Sequence, residues 1–455
     1  MRRAASIATA VLVAGMACPD SRTIGAEVQP SRPQAAIEKR DELVRAFCLP
    51  HPLFNDASVW RQRVANVPCK ENDLCYIRET HDLLKSTTER RPKGQNFLWL
   101  SFDEFTIPIF AGGWDEAASG SFEIKTYDND SFEPSTMPSA PQGGRFRVRG
   151  VPRLSGSVRP AGPEGLDADG HLVLYDSAEN CEYDFWNATT LLKDNDKTDG
   201  GGHMGDAILF AGSAETFKLN GLGAQRLRAN CKPLTSSRAT GVPLLAGLLV
   251  PEDFQQGAAA KIEHALVFSL PKLRHLCPDD DGDVTVPPDF VYPATKTETT
   301  QPLQKRYALA AGERIRLKPK GSTLWCEDGG EFDEQAAAPV TQKYLDALRE
   351  YGAYLVDASG GFTFYAEDYR TANLKLSRAD FNELMGRDPD TPLPTEESQW
   401  ETLMACLQED LRHIALAVDT GSEFKSNFEV VEDAKPPSGT ITQPCTVQQL
   451  NDCPD

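Results

Sequence analysis

The chain has 455 residues, 40% of them hydrophobic and 25% charged, enough apolar material for a sizeable core and too much for wholesale disorder. Its 47 Lys and Arg stand against 67 Asp and Glu for a formal charge of −20. The Lys/Arg runs that grip a phosphate backbone are missing, which argues against nucleic acid as a partner. The 34 glycines and 32 prolines interrupt the chain too often for an all-α bundle or a coiled coil.

Arg2 and Arg3, the apolar run from Ala4 to Ala17 and the polar sequence after it have the pattern of a secretory signal peptide over residues 1–26. Cleavage after Ala26 predicts a secreted or periplasmic protein. The competing reading cleaves before Cys18 and lipidates it, but Gly15-Met16-Ala17 is a poor lipobox. No run reaches the roughly 18 uninterrupted apolar residues of a membrane span. The mature chain is more acidic still, so a polyanionic partner is repelled. Ten of the eleven cysteines follow Cys18. An even number in an exported chain predicts up to five disulfides, with Cys69/Cys75 and Cys445/Cys453 as the short-loop pairs. Zinc-type Cys/His spacing does not occur.

Residues 27–95 are expected to form a helical, Cys-containing segment, with an amphipathic helix at 36–48. From 96 to 432 the pattern changes to short alternating or apolar runs: FLWLSFD, TIPIFAG, SFEIKTY, RFRVRGV, HLVLYD, CEYDFW, DAILFAG and HALVFSL. Strands at that spacing predict a mainly β fold, a β-sandwich or jelly-roll-like core stapled by disulfides. Peripheral helices are expected at 251–256, 341–351, 377–386 and 399–417, and YLVD-ASGG-FTFYAE reads as a hairpin. Residues 433–455 are a Pro-rich tail.

The stretch from Asp169 to Trp186 carries the candidate chemistry. Pairing Asp176 with Cys181 across a four-residue loop sets Tyr175 opposite Glu182 and Val173 opposite Asp184. Leu172, Leu174, Cys181, Tyr183 and Phe185 then share one face, and His171, Tyr175, Glu182, Asp184 and Trp186 share the other, with Asp169 one step beyond. A slip of one residue sends the polar set into the core, so the apolar pattern argues for this register. Carboxylates and a histidine bind sugar hydroxyls, and the rings of Trp186 and Tyr175 suit sugar CH faces. Glu182 and Asp184, about 6.5 Å apart at a rise of about 3.3 Å per residue, sit at the lower edge of the roughly 6.5–9.5 Å separation of inverting glycosidases. The candidate catalytic set is therefore Glu182, Asp184, His171, Asp169 and His264, although Asp169 falls roughly 13 Å from Asp184 along the strand.

His264, in KIEHALVFSL, shares a face with Ile262, Leu266 and Phe268, a core position from which a histidine can reach a site as proton carrier. Asp357 ends a strand before a turn, a capping position. Asp279, Asp281 and Asp283 alternate along DDDGD in the manner of a calcium loop without the EF-hand spacing, so structural calcium is the one cofactor considered. A G-x-S-x-G elbow, HExxH, Walker loop and Rossmann fingerprint are all missing.

The ordered series DGHLVLYD, CEYDFW, RATGVPLLAGLLVPEDF, IEHALVFSL, FVYPAT, ERIRLKP, LREYGAYLVD and SEFKSNFEVV resembles a broad family of exported, mostly uncharacterised bacterial proteins. The resemblance covers about residues 165–431. It implies an extracellular setting and one integrated domain over that span, and it supplies no catalytic residues. The acidic insertion DNDKTDGGGH and the region around Cys326 depart from the pattern. Together these observations predict a secreted protein acting on an extracellular polysaccharide, a glycoside hydrolase using paired carboxylates. The alternatives are a non-catalytic glycan-binding or surface-adhesion protein and a polysaccharide lyase, the last disfavoured because the candidate face lacks cations to neutralise a uronate.

Overall fold

The computed structural model describes residues 49–86, 96–112 except 104, 122–126, 145–148, 170–176, 180–186, 189–190, 208–219 except 212, 221–224, 237–275, 289–297, 302–392 except 374, 399–435 and 448–449. Ten strands form the two sheets that frame the site: β1 (Trp99–Ser101), β2 (Ile109–Gly112), β3 (Leu172–Asp176), β4 (Cys181–Trp186), β5 (Ser213–Lys218), β6 (Leu266–Leu270), β7 (Arg314–Leu317), β8 (Ala353–Ala358), β9 (Thr363–Tyr365) and β10 (Phe428–Val430). The larger sheet runs β1-β9-β6-β8-β7-β10 and the smaller β2-β3-β4-β5. A further five-stranded sheet contains Phe122–Thr126, Arg145–Val148 and Ile208–Ala211. The longer helices, α1 (Asp73–Ser86), α2 (Pro339–Glu350), α3 (Arg378–Leu384) and α4 (Gln399–Leu411), complete the frame.

A mainly β, disulfide-stapled sandwich is not what forms. Helix and strand occur in equal share, and the larger sheet is mixed: β6 pairs parallel to β8, and β1 parallel to β9. LVFSL and AYLV are buried at every position, as strands covered on both faces must be, and such runs are apolar throughout rather than alternating. The ASGG turn also joins no hairpin, because β6 lies between β8 and β9. The Cys69/Cys75 staple is missing too. Both are exposed free thiols, and Cys326 is free. Cys181 and Cys406 are disulfide-bonded, but no disulfide joins two described cysteines. The first described segment is tied down by its buried Val59 and Trp60 and by polar contacts: the Lys70 N–H donates to Val430 O at 2.8 Å, and its ammonium lies 2.6 Å from the buried Glu313 carboxylate.

The helices arise for the expected reasons. In α2, Pro339 opens the first turn and Val340, Tyr344, Leu345 and Leu348 bury one face. Gly352 stops it at φ +69, where a Cβ would stand 2.4 Å from Ile315 O. Trp60, Trp400, Phe268, Phe362 and Tyr344 fill the core between sheet and helices, with Phe268 and Phe362 edge to face at 5.5 Å. No described helix is long and apolar enough to cross a membrane.

Between the two sheets runs an irregular segment, residues 237–250, that enters a 3-10 turn at Pro251–Phe254. Gly247 in this segment has φ +68 and lies against β6, and a Cβ there would be 2.6 Å from Val267 Cγ1 and 2.8 Å from Ala265 O. Backbone strain of about 1–3 kcal/mol and overpacking of similar size therefore meet in one substitution. Gly247→Ala is expected to lower stability by about 2–4 kcal/mol in denaturant unfolding, whereas an unchanged midpoint would show that the segment is free to move off β6.

Candidate functional site

The β3–β4 hairpin has the register read from the sequence: Leu172 opposite Phe185, Val173 opposite Asp184, Tyr175 opposite Glu182 and Asp176 opposite Cys181. His171, Tyr175, Glu182 and Asp184 do gather on one side, but that side is internal. Glu182 is 0% and Asp184 1% exposed, covered by the 237–250 segment. The Leu245 N–H donates to Glu182 Oε1 at 2.6 Å and the Leu244 N–H to Asp184 Oδ2 at 2.8 Å. His171 Nε2 faces Ser237 O at 3.1 Å, and the buried Tyr175 donates its hydroxyl to Asn180 Oδ1 at 3.0 Å. Trp186 is half-buried at the strand end. With the segment in place this face is covered, so burial replaces the expected exposure of Tyr175 and of the Glu182/Asp184 pair. Asp169 and the acidic loop of Asp279, Asp281 and Asp283 lie outside the described residues.

The pair is nonetheless chemically unusual. Among the described residues, the second oxygens, Glu182 Oε2 and Asp184 Oδ1, receive no donor from outside the pair. Burial, and then the neighbouring Asp184, pushes Glu182 far above the usual range, and burial raises Asp184 as well, against the pull of its hydrogen bond with Glu182, of the backbone amides and of Arg238. Two acids on one strand face in a dry site titrate as a pair, and burial disfavours charging both. Arg238, itself buried, donates Nη2–H to Leu244 O at 3.2 Å.

A second cluster stands at the C-terminal end of the same segment. Asp253, in the 3-10 turn, accepts the Val250 N–H on Oδ2 at 3.0 Å, the local cap that Pro251 presets. Its Oδ1 lies 3.0 Å from His264 Nε2 and 3.0 Å from His51 Nε2. His264 Nδ1 faces Ala265 O, also at 3.0 Å. Both nitrogens of His264 thus meet acceptors, so both carry protons and the ring is an imidazolium. Burial opposes that charge, but the charge and hydrogen bond of Asp253 outweigh it and raise His264 overall, while the two histidines hold Asp253 below the usual carboxylate range despite its burial. His51 donates Nε2–H to the same oxygen, which leaves the Nδ1 lone pair available when the ring is neutral. Its side chain is 28% exposed, against 0% for Asp253, so one end of this relay reaches solvent.

The adjacent Glu252 faces the opposite way. It accepts the Leu49 N–H at 3.0 Å and lies 3.7 Å from Lys375 Nζ, which also binds Glu367 at 2.6 Å. Burial pushes the Glu367 carboxyl up to about 7 against the pull of Lys375.

Of the residues singled out in the sequence, only His264 joins the relay. His51 and Asp253 were missed. The signal available was slight: PEDF is an N-terminal turn signature whose Asp can cap, and His51 sits between prolines in LPHPL. Among the described residues no group of three or more His, Cys, Asp or Glu is arranged to hold a metal ion. Comparison with family models, curated proteins and solved structures finds no match.

The relay has a signed pH dependence. The His264 contribution is present below the ordinary histidine value of about 6.5 and is lost as pH rises through its raised value. The Asp253 contribution is present above about 4 and is lost as pH falls through its lowered value. Nitrogen-15 NMR of the imidazoles is expected to find His264 protonated on both nitrogens at neutral pH. Asp253→Asn should move its titration downward and cost about 3 kcal/mol, the scale of a broken buried pair; a His264 titration unmoved by that change would mean the relay does not exist in solution.

Proposed function

We propose that the chain is an exported protein acting on an extracellular, neutral glycan as a hydrolase, with its acid–base chemistry at His51 rather than at the β3–β4 hairpin. The observation that carries this is the placement of two imidazoles on one buried carboxylate oxygen, one locked as a cation and the other open to solvent. His51 Nδ1 takes a proton from an attacking water and returns it to the leaving oxygen, while Asp253 fixes the ring and its tautomer. With His51 neutral the trio carries no net charge, so nothing in it repels an uncharged substrate. The formal charge of −20 disfavours a polyanion, and with it the lyase reading. The extracellular setting rests on the N-terminal pattern and on the motif series quoted above.

One observation favours the binding alternative. Phe97 and Trp99, two residues apart at the edge strand β1, are both half-buried, with ring centroids 6.4 Å apart, a small aromatic surface of the kind that stacks on sugar CH faces.

A panel of neutral and acidic polysaccharides, followed for reducing ends, released acyl groups and unsaturated uronate absorbance, separates the readings. Turnover of a neutral glycan is expected, lost by at least 100-fold in His51→Ala, the order of a missing general base, and retained in Glu182→Gln. Turnover that survives in His51→Ala would move the chemistry elsewhere, and retention of a glycan without any product would leave the binding reading standing.

A further inference from the structure

The segment 237–250 is held at its middle and at its C-terminal end by buried carboxyls. In the middle, consecutive amides of Leu244 and Leu245 donate to Asp184 and Glu182 on the hairpin. At the end, the Val250 amide donates to Asp253. Between them Gly247 packs against the backbone of Ala265 and Leu266, and Ala265 O is the acceptor that fixes His264 Nδ1. The hairpin carboxyls therefore secure the piece of chain against which both Asp253 and His264 are set.

The charge balance at the hairpin depends on one proton. Among the described residues, Arg238 is the cation whose field reaches both carboxyls. With one proton shared, the pair carries a single negative charge and Arg238 offsets it. Without that proton, two negative charges face one arginine in a site closed to water, and like charges two residues apart on one strand face repel strongly in a low-dielectric interior. The other titratable groups around the pair do not relieve this. Tyr175 stands opposite Glu182 on β3 and Glu215 opposite Asp184 on β5. His171 is engaged with Ser237 O. On the far side of Arg238, Asp357 on β8 and Tyr365 on β9 draw on the same guanidinium, the Tyr365 ring lying 5.3 Å from it.

We propose that the Glu182–Asp184 pair is a proton-operated latch: holding one proton it closes the 237–250 segment onto the hairpin and keeps the His51–Asp253–His264 relay in register, and releasing that proton to solvent opens the segment. The connection to the relay rests on the reading of His51 as the working base; the latch itself does not. Opening frees the Leu244 and Leu245 amides, so the equilibrium is visible without any substrate. If opening releases one proton, its equilibrium constant rises tenfold per pH unit once the medium is more alkaline than the closed pair tolerates.

The test is amide hydrogen exchange at Leu244 and Leu245 in the full chain, between about pH 5 and pH 9, with the intrinsic base-catalysed rate divided out. Wild-type protection is expected to hold at the acid end and then fall by close to tenfold per pH unit. Glu182→Gln keeps the acceptor for Leu245 and offers Asp184 a permanent N–H donor, so its protection should show no pH slope. Asp184→Asn leaves one ionisable group beside Arg238 and carries the same expectation should Glu182→Gln fail to fold. A flat wild-type profile, or an unchanged slope in the variants, overturns the latch. The functional reading fails separately: if His51→Ala turns glycan over normally while the exchange slope persists, the latch exists and His51 is not the base.

Discussion

Buried carboxylates that must take backbone N–H groups are the constraint on which this structure depends. Glu182, Asp184 and Asp253 are each sealed from water, and a buried charge left unpaired costs several kcal/mol. A charge-assisted hydrogen bond contributes about 1.5–3 kcal/mol, so the amides of Leu244, Leu245 and Val250 are not incidental contacts. They dictate where an otherwise irregular apolar segment lies. In return the carboxylates satisfy amides that have no strand or helix partner. The segment thus joins the smaller sheet to the larger one through hydrogen bonds at Leu244 and Leu245 on one side and Thr240 and Leu249 on the other, and through apolar contacts, notably at Gly247.

The same constraint explains why catalytic-looking residues are buried and a less conspicuous one reaches solvent. Two acids on a strand face attract attention as an acid/base pair, yet here they serve as acceptors for a covering loop. Asp253 serves two histidines at once. Locking His264 as a cation keeps Asp253 ionised in a dry site, and an ionised Asp253 holds His51 by its Nε2–H. The result is a fixed tautomer at a half-exposed position, achieved without any group beyond three side chains and two backbone partners.

Much of the local architecture was legible in the residues. Period-two alternation in LVLYD and CEYDFW gave the hairpin its register residue by residue, and helical spacing placed α2, α3 and α4 close to where they form. Tertiary arrangement was not legible. LVFSL and AYLV are buried throughout because both faces are covered in a parallel pairing, and a short apolar run does not reveal its neighbour. Nor does alternation tell water from a polar partner: the Glu182/Asp184 face reads as solvent-facing, while the loop that covers it lies some sixty residues further along the chain. In hindsight GVPLLAGLLVP, apolar yet rich in turn residues, was the sign of a segment bound over something. The relay needed three separate stretches, around 51, 253 and 264, to converge, which no spacing in the sequence encodes.

Infrared difference spectroscopy at neutral pH tests the central claim, that the hairpin acids share one proton while Asp253 is fully ionised. Subtracting Glu182→Gln from wild type should reveal one protonated carboxyl band with Asp184 still a carboxylate, and subtracting Asp253→Asn should reveal carboxylate bands alone. Finding no protonated carboxyl in the first difference, or a protonated one in the second, would contradict the account.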